Sequence, residues 1–197
     1  ERWLRAANLR VVSTSKMREP LPARLAAALA KLFSAEQILD LCCNQESGLA
    51  PADCTLALRR MATCPDHGLM RADPRFAKFL ALSRDSLEAH ATTQDVVECL
   101  DALSELKLRS ALLLEVLAKC ALRHLGRFTA DELVLTVCGF VALEHADLAL
   151  LDGLARDLSM HASNLSAVEA LRVAAALSKV QLRQFDLLDK LSVAVAA

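Results

Sequence analysis

The chain has 197 residues, a formal charge of −1, 54% hydrophobic residues, no Tyr, and only 5 Gly and 5 Pro. That balance excludes disordered, collagen-like and disulfide-framework proteins, and the shortage of turn residues and aromatics argues against a β-sandwich. Leu and Ala dominate, which points to an all-helical protein of one domain or two small ones.

The charge is unevenly spread. Residues 1–31 hold Arg2, Arg5, Arg10, Lys16, Arg18, Arg24 and Lys31 against Glu1 and Glu19, while the remainder is net acidic. Residues 1–20 therefore read as a basic arm, suited to phosphate contacts or to part of an Arg-rich organellar targeting segment. Residues 21–197 read as the folded body. Leu21–Leu32 predicts a helix, and Phe33-Ser34-Ala35-Glu36-Gln37-Ile38-Leu39 matches Phe128-Thr129-Ala130-Asp131-Glu132-Leu133-Val134 further on. Ala50-Pro51-Ala52-Asp53 opens another helix, with Pro in a first turn where its missing N–H costs little. Its partner is expected over Pro74–His90, after a long loop at Thr63–Asp73.

From residue 92 the chain repeats itself. Capping boxes begin at Thr92, Thr129 and Ser166, 37 residues apart, with an acid three places on at Asp95, Glu132 and Glu169. In such a box the hydroxyl accepts from free backbone N–H groups, and the acid sits at the positive end of the helix dipole, Asp being the shorter partner. Apolar columns keep the same phase: Val96/Leu133/Ala170, Leu100/Val137/Ala174 and Leu103/Phe140/Leu177. A small residue recurs at Ala102, Gly139 and Ala176, permitting close approach of a neighbouring helix. A second helix carries Leu-Leu-acid at 113–115, 150–152 and 187–189. Each unit thus reads as a helix, a short turn and an antiparallel helix. Such a pair cannot cover its own apolar face, so the expected fold is an all-α solenoid of stacked pairs with a 37-residue repeat. Repeats are expected near 34–91, 92–128, 129–165 and 166–197. The last unit runs out at Ala197 without a polar closing helix, which suggests a longer chain or a partner over that end.

The segment 34–62, with Ala57-Leu58-Arg59-Arg60-Met61-Ala62, and the repeats after it resemble the octotricopeptide and heptatricopeptide repeats of organellar proteins, found with or without a C-terminal RAP domain. Ala50 departs from that pattern in lacking a hydroxyl, the loop at 63–73 is enlarged, and no RAP domain is visible. The resemblance implies an RNA-binding protein or a structural subunit of a ribonucleoprotein such as a mitochondrial ribosome. It would contact rRNA and neighbouring proteins in the mitochondrial matrix or, alternatively, the plastid stroma. A protein–protein scaffold of the same fold is the other reading. No membrane, small-molecule substrate or cofactor is expected.

Candidate RNA contacts are the arm residues Arg2, Arg5, Arg10, Lys16 and Arg18, then Arg59 and Arg60 on an early helix. Lys107, Arg109, Arg123, Arg127 and Arg183 follow near turns and helix ends, with Arg172 and Lys179 on a first helix. Contacts of this kind position RNA without reading its sequence. The open face of the first helices runs Gln94/Asp131/Val168, Glu98/Leu135/Arg172, Asp101/Cys138/Ala175 and Glu105/Ala142/Lys179. Its chemistry changes from unit to unit, as in one-base-per-repeat readers, yet Leu135, Cys138 and Ala142 suit a protein contact better than a base edge.

No glycine-rich phosphate loop, Gly-x-Ser-x-Gly or His-Glu-x-x-His is present. Asp66-His67 reads as a turn rather than a catalytic pair, and an enzyme is not expected. Seven cysteines without a Cys-x-x-Cys read as reduced packing residues in a reducing compartment.

Overall fold

The computed structural model describes residues 21–45, 48–145, 147–181 and 185–196. Among the described residues there are ten α-helices and no strand. They are α1 (Leu21–Leu29), α2 (Ala35–Cys43), α3 (Pro51–Thr63), α4 (Pro74–His90) and α5 (Thr93–Glu105). Then come α6 (Ala111–Arg123), α7 (Ala130–Ala142), α8 (Leu148–Met160), α9 (Ala167–Lys179) and α10 (Phe185–Ala196). The all-α class is as expected. No described helix is long and apolar enough to cross a membrane.

The three capping boxes form. The Thr92, Thr129 and Ser166 hydroxyls each accept from the third helical N–H at 3.3 Å. Asp95, Glu132 and Glu169 accept in return from the N-cap N–H at 2.9, 2.8 and 2.8 Å. Asp95 thus closes its box about as tightly as the longer Glu. At Ala50 only the return half exists, a 3.3 Å bond from the Ala50 N–H to Asp53. Burial pushes the Asp53 carboxyl upward, against the pull of that single bond.

Two further marks share the 37-residue phase. The second helices are capped by Asp73, Ser110 and Asp147, whose side chains accept from the N–H of Arg75, Leu113 and Ala149. Each first helix from α5 onward ends on a residue with positive φ: Lys107 at 49°, Glu144 at 58° and Gln181 at 55°. The Leu108 N–H reaches the Leu103 carbonyl and the His145 N–H that of Phe140, while Lys107 and Glu144 bond Ser104 and Val141. This double closure is a Schellman turn, usually built on Gly. Here L-residues take the left-handed conformation at a cost of roughly 1 kcal/mol each.

The helices pack in two layers. α1 lies on α3, α3 on α5, α5 on α7 and α7 on α9; α2 lies on α4, α4 on α6, α6 on α8 and α8 on α10. One continuous core threads both layers from Leu25 to Leu191. α7 shows why: Leu133, Val134, Val137, Phe140 and Val141 are all buried on it, and full burial of a large apolar side chain gives about 1.5–3 kcal/mol. A Cβ on Gly139 would stand 3.0 Å from the Leu100 Cβ, so the small-residue column does bring neighbours close.

The upstream units differ from expectation in two details. The first helix ends at Leu29 rather than Leu32. α2, opened by Ser34, belongs to the second layer with α4, whereas α7, opened by Thr129, belongs to the first. The local likeness of 33–39 to 128–134 therefore joins helices of opposite layers; Phe33 is exposed where Phe128 is buried. α4 spans Pro74–His90 as expected.

Two predictions follow from the caps. Thr129→Ala removes a working cap and lowers stability by about 1 kcal/mol, whereas Ala50→Ser completes the broken box and raises it by a similar amount; paired thermal melts check the opposite signs. Lys107→Gly relieves the left-handed residue and raises stability by roughly 0.5–1 kcal/mol, read as a higher Tm.

Candidate functional site

The open face expected from the columns is present. Across α3, α5, α7 and α9 runs a groove of about 490 Å³ whose lining includes Glu98, Asp101, Leu135, Cys138, Ala142 and Arg172. One bank is α5, where Glu98, Asp101 and Glu105 point outward at one-turn spacing. The floor is α7, where Cys138 and Ala142 are short and Gly139 lies with its Cα side against Leu100 of α5. Leu135 closes one end, 42% exposed. The far bank is α9, with Arg172 and Lys179 exposed. The groove exists because the short Cys138 and Ala142 side chains sit between two rows of longer charged ones.

The expected RNA contacts disperse. Arg59 and Arg172 line the groove together, but Arg59 is bonded to Asp101 at 2.7 Å. Arg60 turns away and donates to the Leu32 carbonyl at 2.7 Å and the Ala30 carbonyl at 3.3 Å. Arg109 forms a two-pronged ion pair with Glu144 of the next hairpin turn, and Arg123 donates to the Glu88 carbonyl at 2.7 Å. Lys107 and Arg127 are exposed, on the α5–α6 turn and just after α6. These lie at opposite ends of an antiparallel hairpin about 20 Å long, so the turn cations form no single edge. The arm residues Arg2, Arg5, Arg10, Lys16 and Arg18, and Arg183, lie outside the described residues.

Three cations that carry no expectation from the sequence are also used internally, two on helix-end carbonyls and one on carboxylates. Arg71 donates to the Leu106 and Lys107 carbonyls at the end of α5, and Lys78 to the Cys43 carbonyl at the end of α2. Arg75 bonds Asp73, Asp40 and Glu36, tying α4 to α2. Cationic groups at helix C-termini satisfy free carbonyls and offset the dipole.

Asp66 has a structural partner instead of a catalytic one. Its carboxylate accepts from the Ser34 hydroxyl at 2.8 Å and the Ala35 N–H at 2.9 Å, capping α2 from the long loop. His67 faces the Cys64 carbonyl at 2.8 Å. Among the described residues no cluster of three or more His, Cys, Asp or Glu could hold a metal. The cysteines are unpaired thiols, and all but Cys138 are buried. Desolvation pushes Cys54 up to about 11 and Cys42 up to about 12, keeping both as thiols. Cys138, in the groove, is also raised by burial, against the lowering effect of Arg172 and Lys179.

No protein-family model and no curated protein matches the chain. The resemblance to octotricopeptide and heptatricopeptide repeats rests on the residue columns alone.

The backbone bond from Ala35 and the Ser34 hydroxyl hold the Asp66 carboxyl below its usual 3.8. A depressed carboxylate stabilises the fold above its unfolded value and loses that effect as pH falls through the folded one. Asp66→Ala is therefore expected to lower Tm at pH 7, and the gap from the parent protein to close progressively as the pH falls below the ordinary carboxylate value of 3.8. A pH series of melts on both proteins checks this.

Proposed function

We propose that this chain is an α-solenoid of 37-residue helix pairs acting as a protein-binding scaffold, without catalysis of its own. The observation that carries this reading is the groove across α5, α7 and α9: an acidic bank, an apolar floor and a basic bank. Such a surface suits a polypeptide bearing both charges and some apolar side chains. It suits a polyphosphate poorly, because Glu98, Asp101 and Glu105 would face phosphates across the floor. Internal use of Arg59, Arg60, Arg109 and Arg123 supports the same reading. The repeat resemblance favours an organellar ribonucleoprotein, such as a mitochondrial ribosome, as the setting.

RNA binding is the second reading, favoured by Arg172 and Lys179, two turns apart on α9 and exposed. A photo-cross-linking residue at Leu135, compared with one at exposed Glu115 on the opposite layer, separates the two in native cells. A discrete protein adduct is expected at 135, absent at 115 and lost with Arg172→Glu. Filter binding to rRNA fragments supplies the other arm. A protein neutralising ~6–10 phosphates would lose about 10³–10⁵ in affinity between 50 and 200 mM salt. Saturable binding of that kind, with RNA rather than protein cross-linked at 135, would overturn the scaffold reading.

A further inference from the structure

The groove has enough chemical asymmetry to say what kind of segment it takes. Main-chain pairing is not on offer, since the described residues include no strand and hence no free sheet edge. The alternative is a helix laid along α7. Close approach is possible there because Cys138 and Ala142 present short side chains. The Gly139 side of α7 is taken up by α5, with the Leu100 side chain 3.0 Å from the missing Cβ position, so the open part of the floor is Cys138 and Ala142. Apolar contact is available at Leu135, which lines the groove and is 42% exposed.

Charge fixes the edges. On α5, Arg59 engages Asp101 at 2.7 Å, and Glu98 accepts from Gln94 at 2.7 Å while keeping its negative charge. Glu105 is exposed on the same face. Across the floor stand Arg172 and Lys179. A ligand of one charge sign meets a like charge on one bank whichever way round it lies, whereas a ligand with opposite edges meets none.

We infer, resting on the scaffold reading above, that the groove over α7 takes an amphipathic helix of a partner protein. Its apolar stripe lies on Leu135, Cys138 and Ala142, its basic edge faces Glu98 and Glu105, and its acidic edge faces Arg172 and Lys179. Reversing the direction of the helix exchanges its edges, so the charge pattern selects the direction of binding as well as the partner.

The test uses three fluorescent designed helices of about 18 residues, long enough to cover the ~20 Å of α7. They share one Leu stripe and differ only at the edges: Lys on one and Glu on the other, Lys on both, or Glu on both. Fluorescence anisotropy against the full chain is expected to rank the two-sign peptide first by about tenfold at low salt. That margin should collapse near 1 M salt, where the Debye length falls to ~3 Å. The Glu98→Lys, Glu105→Lys variant, whose sites are solvent-facing and whose fold is checked by circular dichroism, should move the preference to the all-Glu peptide. Equal affinities, no binding by any of the three, or an unchanged ranking in the variant would overturn the inference. If the protein adduct at position 135 survives such a result, the scaffold reading stands while the helical, two-sign partner falls.

Discussion

The burial of α7 between α5 and α9 is the contact on which the rest of the molecule depends. A single helix pair with this sequence has apolar residues on more sides than its own partner can hide. Phe140, Val137 and Leu133 are removed from water only because two neighbouring first-layer helices lie against them. The same requirement is met in the second layer, where α6 lies between α4 and α8. Everything on the open face follows from it, because the residues left outside are those that the stacking did not claim.

Chemistry local to a few residues was the most readable part of the chain. A hydroxyl followed three places on by an acid specifies its own hydrogen bonds, so the starts of α5, α7 and α9 could be placed from the sequence. The ends of those helices were harder. Their left-handed residues are Lys107, Glu144 and Gln181, and no glycine marks them. Only their shared phase with the caps betrays them. The layer of α2 was misleading for a related reason: Ser34 looks like a cap, but its hydroxyl donates to Asp66.

The groove was legible as a set of columns, because exposure on a helix is settled by the apolar positions that remain. The fate of the arginines was not. Arg60, Arg71 and Arg123 all end on main-chain oxygens of a neighbouring unit. Every residue carries a carbonyl, so no side-chain pattern distinguishes an arginine that will find one from an arginine left in water. A surface cation count taken from sequence therefore overstates the charge a stacked helical protein has free for a ligand.

The long loop between α3 and α4 is where the otherwise regular spacing slips, since Ala50 and Thr92 stand 42 residues apart rather than 37. Asp66 reaches back to the start of α2, Arg71 reaches forward to the end of α5, and Asp73 caps α4. The surplus length is thereby folded into a keyed joint. The five extra residues are held at both ends, against α2 on one side and α5 on the other, so that lengthening the chain here costs no loose loop.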